Sequence, residues 1–281
     1  HVEGAPITLR IPFAIGTWNS PDDVRLLNKE GKEIPSQITE VNNWMPINSS
    51  MKWIWVFFFA DANDNYTLEY GSDVKRAAYK GDRVVIRNIQ PMGSYTEVST
   101  GPLNFKIRKN NGGFFETVKL NTKKNGCSDA DIIAEGAKDR GSFLDILDQA
   151  GIDKSKATIT RSVIEKGSGP LHGIIRFEGE YTYNRKDNNS SPFVIRIHVY
   201  AGKSYVKVLH TLTYTGVPDQ HVIVPGEHAR IATQSKNILS EAESSDKGWT
   251  KPNDQIASTG FSLNYKLNGE LTYKVGYKDG K

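Results

Sequence analysis

From residue 158 to residue 214, β-branched and aromatic residues alternate with polar ones, and Gly, Pro, Asn and Ser cluster between the alternating runs. A period of two is typical of half-buried β-strands. The stretch therefore predicts four long antiparallel strands. Its clearest part is a hairpin in which residues 193–200 and 205–214 are joined by the four-residue loop 201–204.

A symmetric register around that loop sorts the side chains of the hairpin onto two faces. The predicted core face pairs Val199 with Val206, Ile197 with Val208, Ile195 with His210 and Phe193 with Leu212. We interpret His210 as a histidine satisfied within the core. The opposite face carries Arg196, His198 and Tyr200, facing Lys207, Leu209 and Thr211.

The preceding strand, residues 171–181, divides in the same way. Leu171, Ile175, Phe177 and Tyr181 lie on one side, and His172, Arg176, Glu178 and Glu180 lie on the other. Its register against the hairpin stays open, because the connection 182–192 is long.

The first ninety residues predict shorter strands, at residues 7–13, 24–27 and 34–39. A dense aromatic run follows at 53–59, and both of its alternating faces are largely apolar. A strand of that kind is usually central and buried. An exposed aromatic platform that stacks on sugar rings is the alternative, and the core interpretation is favoured because the residues lie in mid-strand. We place a boundary between a small β-barrel domain, residues 1–92, and an antiparallel β-sandwich domain, residues 93–281.

Later segments add strands at 103–108 and 114–120, and a segment at 143–152 that fits either a short strand or one helical turn. Residues 231–245 are the best helix candidate. Residues 261–266 and 271–277 predict a closing hairpin around Asn268 and Gly269, the strongest local turn signal in the chain.

Composition narrows the class of protein. The 281 residues contain 37% hydrophobic and 24% charged residues, which is typical of a soluble globular protein. The longest apolar run, residues 53–60, is too short to span a bilayer. A formal charge of +4 without Lys/Arg runs argues against nucleic acid and permits an acidic ligand. The chain starts at His1 without a methionine, which suggests a processed or cloned mature segment, and we expect a secreted or periplasmic protein.

No metal or other cofactor is expected. Cys127 is the only cysteine, which excludes a disulfide framework and a cysteine-based metal site. Asp129, Asp131 and Glu135 lack the pattern of a calcium loop and fit a solvated loop better. His221 and His228 lack the spacing of a helical metal pair.

One predicted face gathers candidate chemistry: Arg176, Arg196, His198, Tyr200 and Lys207. β-Elimination of a uronate requires loss of the proton next to the carboxylate, so positive charge must hold the carboxylate as the enolate-like charge develops. Arginine can do this bidentately. His198, Tyr200 or Lys207 could take the proton and return one to the leaving oxygen, if neighbouring cations lower the pKa of Tyr and Lys. The alternative is an ordinary solvated sheet face.

Several phrases resemble one family. They are ITLRIPFAIGTW, EIPSQITEVNNWMPINSSMKWIWVFF, TGPLNF (100–105), VIEKGSGP (163–170), FEGEY and VIRIHVYAGKSYVKVLHTLTYTG. In this order they resemble the exo-rhamnogalacturonan lyase-like proteins with an N-terminal RIFT-barrel domain. The resemblance implies a small β-barrel followed by a large antiparallel β-sandwich, and an acidic plant-type polysaccharide as the ligand.

Members of that family continue into an (α/α) toroid that helps to form the substrate cleft, and this chain looks like the β-rich front portion or like a truncated relative. Three functions follow as hypotheses. The chain is a polysaccharide lyase region that a further helical domain completes, with His198, Tyr200 and Arg196 catalytic and Arg176 and Lys207 binding the substrate. Alternatively, it is a non-catalytic carbohydrate-binding module, or a purely structural β-protein.

Overall fold

A computed structural model describes residues 4–45, 50–89, 95–108, 114–121, 128–137, 140–148, 151–184, 190–215, 254–267, 272–275 and 278–280. Within these ranges the regular structure consists of β-strands and two short 3-10 segments, Pro21–Asp23 and Asp129–Asp131. None of the helices in the described ranges is long and apolar enough to cross a membrane. The predicted helix at 231–245, both histidines at 221 and 228, and Cys127 lie outside the described residues.

The strands, in chain order, are β1 Ala5–Pro12, β2 Val24–Leu27, β3 Glu33–Ile34, β4 Ser36–Asn43, β5 Met51–Ala60, β6 Thr67–Tyr70, β7 Val85–Ile89, β8 Tyr95–Ser99, β9 Leu103–Arg108, β10 Phe115–Leu120, β11 Ile132–Gly136, β12 Ser142–Asp148, β13 Gly151–Asp153, β14 Lys156–Ile164, β15 His172–Thr182, β16 Ser190–Tyr200, β17 Val206–Leu212, β18 Asp254–Phe261, β19 Leu263–Tyr265, β20 Tyr273–Val275 and β21 Lys278–Gly280.

Two three-stranded antiparallel sheets make up the N-terminal region, in the orders β1-β5-β4 and β3-β2-β6. The aromatic strand β5 is central, as predicted. Ile54, Val56 and Phe58 point into the core shared by the two sheets. Phe57, on the other face of β5, packs against Leu171 and Tyr200 far along the chain. Both faces are apolar because each one is covered by a different part of the protein. Closure of these sheets into a RIFT barrel stays a prediction.

A larger β-sandwich follows. One layer is a six-stranded sheet in the order β19-β11-β10-β9-β8-β7, and the other is the four-stranded sheet β14-β15-β16-β17. Alternate residues of both layers meet in one core, among them Val98, Phe105, Phe177 and Ile197. The all-β fold with an antiparallel sandwich is therefore confirmed. The domain division after residue 92 stays a prediction, and the six-stranded sheet itself begins with β7 at Val85.

A further three-stranded sheet, β13-β12-β18, shows that the described parts of the ambiguous segment, residues 143–148 and 151–152, are strand. The predicted closing hairpin is wrong in its pairing. β19 pairs with β11 at the edge of the six-stranded sheet, whereas β20 pairs with β21. The described parts of both segments contain strands, as the alternation indicated, and the predicted turn at Asn268 and Gly269 lies outside the described residues. A turn signal identifies only a local partner, whereas β19 pairs with the distant β11.

One buried side chain, Gln37 of β4, joins the N-terminal sheets to the sandwich through several hydrogen bonds. Its amide donates to the carbonyl oxygens of Gly167 and His172, and its oxygen accepts the backbone N–H groups of Leu171 and His172. Gly167 has φ +91°, and a Cβ there would lie 3.1 Å from the Trp55 ring, so the turn before β15 needs glycine both for its backbone and for its close contact. The start of β15 is thus held in place by β4 and β5.

Candidate functional site

The four-stranded sheet gathers the predicted site residues on its outer face. The hairpin register is confirmed, with Val199 opposite Val206 and Ile195 opposite His210. The register that the sequence left open places Arg176 of β15 directly opposite Arg196 of β16, and Lys207 of β17 lies opposite His198. Opposite residues of an antiparallel pair share a face. Arg176, Arg196, His198 and Lys207 therefore share the outer face, which we call the Arg–His face.

The two arginines converge on Glu165, which follows the end of β14. Glu165 Oε1 lies 2.8 Å from Arg196 Nε and 3.7 Å from Arg176 Nε. A second carboxylate, that of Glu178, lies 3.0 Å from Arg176 Nε and 3.6 Å from Arg161 Nη1. The arrangement demonstrates that the Arg–His face can hold a carboxylate between two guanidinium groups. It also means that a carboxylate of the protein already occupies that position.

Next to the arginines lies a pair of histidines. His172 Nε2 is 3.0 Å from His198 Nδ1, so one ring donates its proton and the other accepts it. The His172 ring stacks on Phe57 with a centroid distance of 4.5 Å, and on Tyr200 with a distance of 5.1 Å. His198 Nε2 is buried without a hydrogen-bond partner among the described residues. A buried polar atom of this kind calls for a reason, and one reason is a group supplied from outside the protein.

Burial keeps both rings neutral at pH 7. Burial first, and His198 second, lower the pKa of His172 to about 4. The pKa of His198 is also lowered, by burial first and then by Lys207, with Glu165 opposing and Arg196 adding to the decrease. A neutral imidazole can accept a proton, which is the state that a general base requires.

Tyr200 departs from the expectation. It is only 5% exposed, because it packs against Phe57 and the His172 ring. Burial, with Tyr205 as a smaller cause, raises the pKa of Tyr200, so the lowered pKa that a tyrosine base would need is not found here. Desolvation of the phenolate outweighs the distant positive charges. The Tyr200 hydroxyl is therefore a proton donor at neutral pH.

His210 is confirmed as a satisfied core histidine. Its Nε2 lies 2.8 Å from the Tyr181 hydroxyl, and burial lowers the pKa of His210. Asp129 pairs with Lys119 at 2.8 Å, and Glu135 pairs with Lys266 at 2.8 Å. In the part of the chain that the structure describes, no group of three or more His, Cys, Asp or Glu side chains is placed to hold a metal ion.

The sequence interpretation omitted two members of the Arg–His face, Glu165 and His172. Alternation placed His172 on the same side of its strand as Arg176, but nothing indicated that it would pair with His198, because the register of β15 against β16 was unknown. Glu165 lies in a turn that β-strand periodicity does not describe. The signal that could have identified Glu165 is a carboxylate close in sequence to a strand whose neighbouring strands carry arginines.

Comparisons with known proteins agree with the β-sandwich. The model of the family described as "PcRGLX-like protein central beta sandwich domain" matches residues 88–249. The chain is also 26% identical over 208 residues to the uncharacterized protein YetA of Bacillus subtilis strain 168. That alignment covers 73% of this chain and 23% of YetA, so the chain corresponds to less than a quarter of that relative.

Proposed function

The chain belongs to the PcRGLX-like protein family, whose central β-sandwich domain it contains, and on that premise we propose that it is the β-rich portion of a rhamnogalacturonan lyase-like protein. In this proposal it binds an acidic, uronate-containing polysaccharide of the rhamnogalacturonan type. The observation that carries the proposal is the family match, because residues 88–249 include the whole four-stranded sheet from β14 to β17 and strands β8 to β11 of the six-stranded sheet.

The Arg–His face supports an acidic ligand. Glu165 rests between Arg176 and Arg196, and a uronate carboxylate has the same shape and charge as that glutamate side chain. Charge-assisted hydrogen bonds from guanidinium groups to carboxylates are among the stronger polar contacts in proteins. In the proposal the sugar carboxylate takes over Arg196 from Glu165, and Lys207, which is exposed beside His198, provides a further positive charge.

β-Elimination is the reaction that these groups would serve. His198 Nε2 takes the proton from the carbon next to the uronate carboxylate, and the electron pair of that C–H bond forms the new double bond. The C–O bond to the leaving sugar breaks, and its oxygen gains a proton from a donor such as the Tyr200 hydroxyl. Arg196 stabilises the charge that develops on the carboxylate. The neutral state of His198 favours this role. Because its Nε2 is buried, a local rearrangement must first expose that atom to the sugar.

A non-catalytic carbohydrate-binding or structural module is the second candidate. The observations that favour it are the pairing of both arginines with internal carboxylates and the burial of Tyr200 and of His198 Nε2. Chemistry would then need a rearrangement that exposes these atoms, or groups contributed by another domain.

The test combines product formation with binding by the full chain. Rhamnogalacturonan is incubated with the protein, and ultraviolet absorbance of unsaturated uronate is followed; binding is measured in parallel by affinity electrophoresis. We expect retardation by the polysaccharide that Arg196→Met weakens and Arg10→Met, a matched change on the exposed face of β1, does not. Retardation without product supports the non-catalytic candidate. If the protein shows no retardation and forms no product, the proposal is contradicted.

A further inference from the structure

The sandwich has a second polar face, on the outer side of the six-stranded sheet. A groove of about 370 Å³ crosses β7, β8, β9 and β10 there. Its volume lies in the range of roughly 300–1,000 Å³ that small-molecule sites occupy. The core side of the same strands carries Val98 and Phe105, which pack towards the four-stranded sheet. The groove and the Arg–His face therefore lie on opposite outer sides of the sandwich.

The strand register lines up the polar side chains of the groove in two rows. One row runs Arg87, Glu97, Lys106 and Thr117 across four successive strands. The next row contains Ser99, Asn104 and Lys119. Residues aligned across antiparallel strands point to the same side. Cations and hydroxyl or amide groups thus alternate over one continuous surface.

The groove has an excess of positive charge. Arg87, Lys106 and Lys119 line it together with one carboxylate, Glu97. Glu97 Oε1 lies 3.6 Å from Lys106 Nζ, a looser contact than the 2.8 Å between Glu165 and Arg196. Lys119 is paired with Asp129 at 2.8 Å; the Lys119 side chain is 22% exposed, but the Asp129 side chain is 93% exposed, so solvent screens this pair. An incoming anion therefore meets weak internal competition.

The spacing of the charges indicates the shape of that anion. Neighbouring strands lie about 4.8 Å apart, so the backbones of Arg87 and Lys106, two strands apart, lie about 10 Å from one another. An extended chain with repeated charges can contact each cation where it stands, without requiring both long side chains to converge on one point. Ser99 and Thr117 supply hydroxyl groups of the kind that pair with sugar hydroxyls. A nucleic acid fits less well, because tight binding of its backbone needs many more neutralised phosphates than three cations provide.

We propose that the groove across β7–β10 is a binding site for a carboxylate-bearing oligosaccharide, separate from the Arg–His face. Arg87 and Lys106 contact successive carboxylates of the chain, and Lys119 extends the site towards β11. Glu97 limits the affinity by neutralising part of that charge.

The first test removes the cations. Isothermal titration calorimetry uses a short oligogalacturonate as the probe and its methyl ester as the uncharged comparison. All titrations are made in an Arg196→Met background, so that the Arg–His face does not contribute. Arg87→Met with Lys106→Met should weaken binding of the acid by about tenfold per lost contact, since hydrogen bonds to charged groups are worth about 1.5–3 kcal/mol.

The matched control is Lys75→Met with Lys154→Met, which removes the same charge from exposed sites away from the groove. It should leave the dissociation constant nearly unchanged. Equal losses in both double variants, or equal binding of the acid and its ester, would overturn the proposal. The proposed function concerns the Arg–His face and is tested separately, by comparing the oligogalacturonate affinity of Arg196→Met with that of the unsubstituted chain.

The second test predicts a gain. Glu97→Gln frees Lys106 and removes the negative charge opposite Arg87, and it should tighten oligogalacturonate binding about two- to fivefold, the size expected for an exposed ion pair. Glu30→Gln, an exposed change of the same charge outside the groove, should not. A merely structural Glu97 predicts no gain, so an unchanged or weaker affinity would contradict the proposal. Preferential binding of a single-stranded DNA of equal charge would contradict the assignment to a saccharide.

Discussion

The two outer faces of the sandwich carry similar residues in different states. On the Arg–His face, Arg196 is held at 2.8 Å by Glu165. The imidazoles of His172, which is buried, and His198, which is half-buried, are hydrogen-bonded to each other. In the groove, Glu97 and Lys106 are 3.6 Å apart, and Arg87 is exposed at an edge strand. Charge on a sheet face is therefore a poor guide to binding by itself. What matters is how firmly the protein's own counter-charges hold each cation.

The Arg–His face, unlike the groove, includes β15, whose start is hydrogen-bonded to Gln37 of the N-terminal sheets. The largest expected change in stability comes from removing those hydrogen bonds. Gln37→Leu removes four hydrogen bonds at the start of β15 and leaves buried backbone groups unpaired. Each such group costs about 1–3 kcal/mol, so we expect the free energy of unfolding to fall by roughly 3 kcal/mol or more. Urea unfolding measures the change.

Asn42→Leu, an exposed change on the same strand, is the control and should cost less than about 1 kcal/mol. The groove lies away from this anchor, so its affinity for oligogalacturonate should survive Gln37→Leu wherever the protein remains folded. A neutral Gln37→Leu variant would show that the junction does not hold β15.

The buried histidines give the Arg–His face a pH dependence of intermediate size. Because the pKa of His172 is about 4 in the folded chain and about 6.5 in the unfolded chain, the unfolded state binds more protons between these values. The stability contribution is complete above pH 6.5 and is lost as the pH falls towards 4. At pH 5 the loss from His172 alone is about 2 kcal/mol.

His172→Phe keeps an aromatic ring between Phe57 and Tyr200 and should reduce the slope of unfolding free energy against pH between 7 and 5. His198 and His210, whose pKa values are also lowered, leave a residual slope. Chemical denaturation at pH 7, 6 and 5 makes the comparison. An unchanged slope in His172→Phe would mean that His172 protonates freely in the folded protein.

The smallest expected effect comes from removing the carboxylate that competes with a ligand on the Arg–His face. Glu165→Gln removes the negative charge nearest to Arg196, so residue 165 no longer makes a charge-assisted contact with the guanidinium group. Binding of an acidic oligosaccharide to the Arg–His face should therefore tighten about three- to tenfold. Calorimetry is made with Lys106→Met present, so that the groove is weakened. Glu30→Gln serves again as the control. Weaker binding in Glu165→Gln would mean that Glu165 positions the arginines instead of blocking them.

Much of the sheet architecture could be predicted from periodicity. The four strands from β14 to β17, the hairpin register around residues 201–204, and the core position of His210 all follow from alternation and a short loop. Short-range pairing is predictable because the turn length fixes which residues lie opposite one another.

Long-range pairing could not be predicted in this way. The register of β15 against β16, which creates the Arg176–Arg196 pair, depends on contacts that no local pattern contains. The same reason explains the wrong closing hairpin, in which β19 pairs with β11. Tyr200 lay on the predicted polar face, but its burial comes from Phe57, a residue more than a hundred positions earlier. The five predicted site residues remain a proposal for function, with Tyr200 as a donor.

The most direct test of the account is whether the full chain binds acidic saccharide through charge. Calorimetric titration with oligogalacturonate and with its methyl ester, at low and at physiological salt, answers this in one experiment. We predict that the acid binds, that raising the salt weakens it, and that the ester binds at least tenfold more weakly, as loss of a charged contact implies. Equal affinity for both forms, or no heat with either, would contradict the central claim.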